Sequence, residues 1–336
     1  TYTELSSKGL NWQFKTFLAR LKDEFGINFE FEMVNNYDFY KDMNYLKFLG
    51  EVGKYITVNY MAAKESVKKR LVDPELSISY AEFSYMLIQW YDFAYLYKNH
   101  GIKLQLGGSD QRWNVTTGIE IIRKKYDQEA YGLTIPLITD ATGKKFGKSE
   151  WNAIWLDPSK NSPYFVYQYF MNTTDQDVEK YLKVLTLLDF DTIAEIVAKH
   201  QENLWIRYGQ KRLAAEVVAV IFGKDSVSQA EKISEVLFGT DDKIEIIKSM
   251  TQEDIDALIQ EVGSIPAPAE LKVLDLFTQS GLTASNGEAK KMIQQWSLYV
   301  NETKAEDTQK TFTDTDFVNG ILLLRKGKKS FKVVKK

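Results

Sequence analysis

The sequence contains no cysteine and only two histidines, and these shortages exclude several kinds of site. Without cysteine there is no disulfide, no thiolate zinc site and no cysteine nucleophile, and we predict no protein-bound metal. The same absence fits a reducing compartment, so we predict a cytoplasmic protein. No apolar run approaches the length of a membrane span and no segment has the pattern of a secretory signal, so we also predict no membrane partner.

Acidic and basic residues nearly balance, and the net charge of −3 gives no bulk argument for binding nucleic acid. Their distribution is more informative, because basic residues crowd the last twelve positions. A basic end on a slightly acidic chain predicts a local contact with a polyanion, although a solvated tail has the same composition. The basic residues are Arg325, Lys326, Lys328, Lys329, Lys332, Lys335 and Lys336.

The first part of the chain alternates between helical and strand patterns. With 336 residues, 44% of them hydrophobic and 26% charged, the chain is long enough for two or three globular domains. We predict strands over 29–34, 102–106 and 133–139, and long helices over 80–99 and 114–126. The last strand lacks alternation, which is typical of burial on both faces. Strands separated by helices indicate a parallel α/β sheet.

The pattern changes near residue 162. From there to about residue 262 only helical spacing is found, and the proline-containing segment 265–268 is predicted to be a linker. Beyond it we predict a helix after Ser285 and three short strands, at 297–300, 321–325 and 331–334. We therefore divide the chain into domains at 1–160, 161–264 and 270–336.

One face of the predicted helix 80–99 carries Tyr85, Gln89 and Asp92 at positions i, i+4 and i+7. The rest of that face is apolar, and a buried carboxylate requires a donor. A ligand phenol would supply one to Asp92, and Tyr85 and Gln89 would hydrogen-bond an ammonium group. A polar stripe satisfied by backbone or solvent has the same spacing.

The segment Gly107-Gly108-Ser109-Asp110-Gln111 ends a strand and begins a helix. Ligands bind at the carboxyl ends of parallel strands, and two glycines allow the backbone to approach them closely. Asp110 can accept hydrogen bonds from ribose hydroxyls, and Gln105 and Gln111 can orient a small zwitterion. Ser109 or Asp110 would also serve as a helix N-cap, which does not exclude ligand binding.

The run Lys145-Phe146-Gly147-Lys148-Ser149 places two lysines and a hydroxyl on a glycine-containing loop. It is not a Walker loop, because G-x-x-x-x-G-K-[ST] is absent. Its ammonium groups can neutralise charge that develops on a departing pyrophosphate. Taken alone, such a run is more often an exposed basic turn.

In this order and spacing, the three motifs resemble those of bacterial tyrosyl-tRNA synthetases. The likeness extends through 35–38, 58–61, 132–137 and 162–164 and into the C-terminal part, so it covers nearly the whole chain. It implies a partial nucleotide-binding, Rossmann-like parallel sheet domain. An all-α anticodon-recognition domain would follow, and then a small α+β RNA-binding domain of ribosomal-protein type.

The resemblance implies that tyrosine and ATP, which Mg²⁺ accompanies, form tyrosyl-adenylate, and that the tyrosyl group then passes to tRNA. It also implies a homodimer. Rejection of phenylalanine by this family is itself a known example of a polar site refusing a ligand without the matching hydroxyl, and we assign that role to Asp92.

The implied site residues follow by position in the motifs. The tyrosine pocket would contain Tyr85, Gln89, Asp92, Gln105 and Gln111. ATP would contact Gly107, Asp110, Lys145, Phe146, Gly147 and Lys148. The catalytic residues would be Lys145, Lys148 and Ser149. The tRNA contacts would be Arg123, Lys124, Lys290, Lys291, Lys328 and Lys329.

The chain departs from the family pattern in two ways. The family motif His-x-Gly-His is absent, since the histidines are His100 and His200, and in the family it lies in a stretch before the position of Thr1. We therefore expect the chain as printed to form adenylate poorly. Tryptophan also stands where the family has other residues, and each ring either crowds a ligand site or points outward. These positions are Trp90, Trp113, Trp151 and Trp296.

Two alternatives remain open at this point. The missing motif and the basic end also fit a non-catalytic tRNA- or RNA-binding protein on a synthetase scaffold. A synthetase for another aromatic amino acid is the other alternative, although Asp92 together with Tyr85 and Gln89 favours a phenol.

Overall fold

A computed structural model of the protein describes residues 2–73, 75–139, 143, 154–239 and 242–336. It divides into two compact units. The first unit comprises residues 30–153, and the second comprises residues 1–29 together with 154–336. The chain starts with helix α1 (Tyr2–Phe25), which belongs to the second unit.

The described part of the first unit contains short helices, two long helices and two strands. In chain order they are α2 (Tyr37–Tyr40), α3 (Tyr45–Glu51), α4 (Val58–Ala62), α5 (Glu65–Val72), α6 (Tyr80–His100), β1 (Leu104–Gly108), α7 (Arg112–Tyr126) and β2 (Tyr131–Ile135). Strands β1 and β2 pair in parallel, from Leu104 opposite Tyr131 to Gly108 opposite Ile135. The connection between them is α7, as expected of a β-α-β unit.

The core of the first unit lies between α6 and α7. Trp90 and Phe93 on α6 and Ile121 and Ile122 on α7 are fully buried there. Gly118 permits the close approach of the two helices, because a Cβ at this position would lie 3.0 Å from the Phe93 ring. The predicted long helices are thus confirmed.

Of the strands predicted in the first 160 residues, one is wrong and another is wrong in part. Residues 29–34 form no strand, because alternation of apolar residues creates no ladder without a neighbouring strand. The strand predicted at 133–139 runs instead from Tyr131 to Ile135. It is not buried on both faces, since Leu133 and Ile135 are exposed on the face opposite to α7.

The second unit continues with helices and ends in a five-stranded sheet. In chain order they are α8 (Pro163–Met171), α9 (Asp175–Leu185), α10 (Phe190–Glu202), α11 (Tyr208–Phe222), α12 (Lys224–Phe238), α13 (Lys243–Ser249), α14 (Gln252–Val262), β3 (Ser264–Pro266), α15 (Val273–Gln279), α16 (Asn286–Gln294), β4 (Leu298–Val300), β5 (Thr303–Lys304), β6 (Ile321–Lys326) and β7 (Ser330–Lys335). The strand order is β3-β7-β6-β4-β5, and only the β3–β7 pair is parallel.

The five-stranded sheet is covered on both faces. From the central strand β6, Leu322 and Leu324 pack into one cluster with residues of α15 and α16. Ile321 and Leu323 pack into another cluster with residues of α12, α13 and α14. The segment 265–268 was predicted to be a linker, but its first residues belong to the edge strand β3, where Pro266 is tolerated.

The predicted α/β class, with a parallel sheet followed by helices and a small α+β part, is confirmed. The domain boundaries at 160, 264 and 270 remain predictions. Within the described ranges, no helix combines the length and apolar character needed to cross a bilayer.

Candidate functional site

Helix α6 is fixed at both ends, which holds its polar face in place. At its start, the Ser79 side chain and the Glu82 carboxylate form a capping box. Arg70 also donates to Glu82, and these bonds lower the pKa of the Glu82 carboxyl to about 2. At its end, Gly101 adopts the left-handed conformation, with a φ of 69°.

Asp92 on α6 already has donors within the chain. The Tyr40 hydroxyl lies 2.6 Å from its Oδ1, and Asn36 Nδ2 lies 3.4 Å from its Oδ2. Burial raises the pKa of the Asp92 carboxyl, and the two hydrogen bonds oppose that rise. Tyr85, one turn before Gln89, is exposed on the same helix.

Gln89 and Gln111 meet in a network of side-chain amides that joins α6 to the start of α7. Gln89 Nε2 donates to Gln111 Oε1 at 2.9 Å. Asn114 Nδ2 lies 2.9 Å from Gln111 Oε1 and 3.0 Å from Gln89 Oε1. Both lone pairs of Gln111 Oε1 are therefore used. Its Nε2 donates to no group in the described part of the chain.

A buried tryptophan hydrogen-bonds to this amide network. Trp90 is fully buried, and its Nε1 donates to Asn114 Oδ1 at 2.8 Å. The ring therefore neither points outward nor stands in an open pocket, and it fixes the orientation of Asn114. Sequence reasoning missed Asn114, although its position one turn after Gln111 was an available signal.

The backbone at the end of β1 is closely packed by neighbouring side chains. A Cβ at Gly108 would lie 2.7 Å from Asp110 Oδ1 and 2.9 Å from Leu137 Cδ2. On the same strand, Gln105 Oε1 is buried and has no hydrogen-bond partner in the described part of the chain. A buried acceptor without a donor is costly, so Gln105 Oε1 could accept a hydrogen bond from a ligand.

The third motif lies outside the described residues. This applies to the predicted catalytic residues Lys145, Lys148 and Ser149 and to the predicted ATP contacts Phe146 and Gly147. Trp151 lies outside them as well.

A cleft of about 520 Å³ lies along α7. Its lining includes Arg112, Trp113 and Lys124. The two predicted tRNA contacts on α7, Arg123 and Lys124, already have an acidic partner. Glu120 Oε1 lies 2.7 Å from Arg123 Nη2 and 3.3 Å from Lys124 Nζ.

Lys64 is buried beside this cleft and has an aromatic cage. Its Nζ lies 4.0, 4.7 and 5.5 Å from the ring centroids of Tyr60, Trp113 and Trp90. It donates to Thr117 Oγ1 at 3.1 Å, and no carboxylate pairs with it within the described ranges. Cation–π attraction thus takes the place of a salt bridge.

The basic C-terminal end is largely paired within the chain. Arg325 donates from Nε and Nη2 to the two carboxylate oxygens of Glu302, and Lys326 Nζ donates to Glu288 Oε1. Further pairs join Lys335 to Asp256 and Lys336 to Asp314. Among the described residues, the predicted tRNA contacts without an acidic partner are exposed, on α16 and in the turn between β6 and β7. They are Lys290, Lys291, Lys328 and Lys329.

Family models match most of the chain. The model described as "tRNA synthetases class I (W and Y)" matches residues 7–239. The model described as "Tyrosine--tRNA ligase SYY-like C-terminal domain" matches residues 254–334. The two matches confirm the resemblance inferred from the motifs.

Relatives and solved structures agree with these matches. The chain is 43% identical over 306 residues to the tyrosine--tRNA ligase of Streptococcus suis, and equally to tyrosine--tRNA ligase 2 of Enterococcus faecalis. Each alignment covers 90% of this chain and 71% of the relative.

Among solved structures, C-terminally truncated mitochondrial tyrosyl-tRNA synthetases match. That of Coccidioides posadasii has a TM-score of 0.55 at 30% identity, covering 66% of this chain. That of Aspergillus nidulans has a TM-score of 0.60 at 29% identity, covering 68% of this chain. The chain spans 65% and 66% of the lengths of these two solved chains.

Proposed function

This chain belongs to the tyrosine–tRNA ligase family of class I synthetases, and on that premise we propose that it binds tyrosine and ATP and charges tRNA with tyrosine. The matched relatives are enzymes, which favours this function over a non-catalytic RNA-binding protein. The observation that carries the proposal is the amide network of Gln89, Gln111 and Asn114, which links the helix motif to the end of strand β1.

Tyrosine would be held at three points in the first unit. The Gln111 Nε2 hydrogens would donate to the substrate carboxylate, since they have no acceptor among the described residues and the Gln111 oxygen already accepts two bonds. Gln105 offers a buried acceptor to the ammonium group. Asp92 offers a carboxylate to the phenol, and Tyr85 would close the exposed side of the pocket.

The chemistry would need no protein nucleophile. The tyrosine carboxylate oxygen attacks the α-phosphate of ATP and pyrophosphate leaves, so that catalysis depends on alignment and on stabilisation of negative charge. Gly107 and Asp110 would contact the adenosine part of ATP. Lys145, Lys148 and Ser149, together with Phe146 and Gly147, would contact its phosphates, which carry Mg²⁺.

The tRNA would contact both units. Arg123 and Lys124 are proposed to approach the acceptor stem, and the exposed lysines of the second unit would contact phosphates elsewhere. The latter are Lys290, Lys291, Lys328 and Lys329. Their lack of acidic partners in the described part of the chain supports this role. We further propose that the protein acts as a homodimer in the cytoplasm.

Equilibrium dialysis with tyrosine, phenylalanine and tryptophan tests the amino-acid site directly. We expect tyrosine to bind and the other two to compete poorly, and we expect tyrosyl-adenylate to bind more tightly than tyrosine. Tyrosine-dependent ATP–pyrophosphate exchange then measures the first step, which we expect to be slow because the printed chain has no His-x-Gly-His motif. Binding of tRNA at several salt concentrations measures the phosphate contacts. A protein that bound neither tyrosine nor tyrosyl-adenylate, or that preferred tryptophan, would not have this function.

A further inference from the structure

The residue that the geometry adds to the substrate site is Tyr40, which no motif singled out. Its hydroxyl lies 2.6 Å from Asp92 Oδ1 and 2.7 Å from the carbonyl oxygen of Ile88. Both partners are acceptors, and a phenol has one proton. The charged carboxylate is the stronger acceptor, so the short contact is a donated bond from Tyr40 to Asp92.

Tyr40 is held firmly enough to orient its partner. Its ring packs against Phe48 and Tyr91, with centroids 6.2 and 6.0 Å away. The preceding residue, Phe39, is buried and stacks on Tyr95 of α6 with centroids 4.0 Å apart. Stacked and tilted ring pairs of this kind restrict movement of the short helix α2 relative to α6.

Helix α2 therefore restrains both oxygens of Asp92. Tyr40, the last residue of the helix, donates to Asp92 Oδ1. Asn36, the N-cap residue of the helix, makes the longer contact to Asp92 Oδ2. Each carboxylate oxygen accepts about two hydrogen bonds, so each keeps room for another donor. The plane of the carboxylate is thus set before any ligand arrives.

We propose that Tyr40 is a positioning residue for substrate selection, which holds the Asp92 carboxylate in the orientation that accepts the phenol of the incoming tyrosine. The inference rests on the proposed tyrosine site. It predicts that two phenols converge on one carboxylate, one from the chain and one from the substrate. Phenylalanine has no hydroxyl to donate, so it leaves Asp92 without a partner whichever way the carboxylate is turned.

The substitution Tyr40→Phe tests this, because it removes one oxygen and keeps the packed ring. Without this bond the Asp92 carboxylate is free to turn away from the substrate phenol, so we expect the tyrosine Kd to rise about tenfold. The phenylalanine Kd should stay the same, and the preference for tyrosine should fall by the same factor. In kinetics, the change should appear in the KM for tyrosine more than in kcat.

Two controls separate positioning from a general structural role. Tyr91→Phe removes a neighbouring phenol oxygen from the same aromatic cluster and should leave the preference unchanged. In an Asp92→Asn background, Tyr40→Phe should have little further effect, because the two residues act through one contact.

The outcomes distinguish this inference from the function on which it rests. A parent chain that does not bind tyrosine contradicts the proposed function, and this inference with it. A parent chain that binds tyrosine, with an unchanged preference in Tyr40→Phe, overturns the inference alone. So does an equal loss for tyrosine and phenylalanine, which would mean that Tyr40 only supports the fold.

Discussion

The two sheets of this protein are built from similar apolar residues and differ in how they are covered. In the five-stranded sheet of the second unit, Leu323 and Leu324 on β6 are both 0% exposed although they point to opposite faces. In the two-stranded sheet of the first unit, Leu106 and Leu133 are 66% and 54% exposed. The difference lies in the layers on either side of each sheet and not in the strands themselves.

The comparison shows what an apolar strand can and cannot indicate. Helices α12 to α14 and α15 to α16 cover the two faces of the larger sheet. In the described part of the first unit, α7 covers one face of the smaller sheet, and the other presents a row of apolar side chains. These are Leu104, Leu106, Tyr131, Leu133 and Ile135. The proposed ligand contacts Gln105 and Gly107 lie on strand β1, in the less covered of the two sheets.

Truncation of a central leucine in the larger sheet should have the greatest effect. Leu324→Ala removes a side chain packed among Phe277, Ile293 and their neighbours, and such truncations cost about 2–5 kcal/mol. Hydrogen exchange of the β6 amides is the suitable measurement, because a chain of two compact units has no single free energy of unfolding. Loss of less than about 1 kcal/mol would contradict the close packing described for this sheet.

Replacement of a glycine on the covered face of the smaller sheet should have an intermediate effect on stability. A Cβ at Gly132 would lie 2.3 Å from Val115 Cγ1, and Val115 is a buried, β-branched residue that cannot rotate away easily. We expect Gly132→Ala to destabilise the first unit by about 1–3 kcal/mol, measured by hydrogen exchange in β2 and α7. Gly50→Ala is the control, because nothing lies within 4 Å of its added Cβ, and it should be neutral or slightly stabilising.

The parts of the fold that were predictable carry their signals locally. Helix α6 has an N-cap at Ser79 and a glycine at 101, and β6 begins with four consecutive apolar residues. The edge strand β3 was missed because its identity depends on pairing with β7, nearly seventy residues away. The strand predicted at 29–34 was wrong for the same reason, since alternation does not reveal whether a partner strand exists.

The candidate site divides in a similar way. The motifs placed Gln89 and Gln111 in one pocket, and the structure brings their side chains into contact. The partner that orients Asp92 could not be predicted, because the bond from Tyr40 to Asp92 spans 52 residues of sequence. Asn114 and Trp90 act on the amide network through contacts of the same long-range kind. Long-range polar contacts leave no periodic pattern in a sequence.

The smallest effect is expected on the bare face of the smaller sheet, and it gives the strictest test of the comparison. Leu106→Ala has the same chemistry as Leu324→Ala, at a position that is 66% exposed instead of 0%. Because little surface is removed from water there, we expect a change within about 0.5 kcal/mol, measured by hydrogen exchange of the β1 amides. Val115→Ala, beneath the opposite face of the same sheet, should cost several times more. If Leu106→Ala instead cost about 2 kcal/mol or more, Leu106 would have to be buried in solution, and the contrast between the two sheets would disappear.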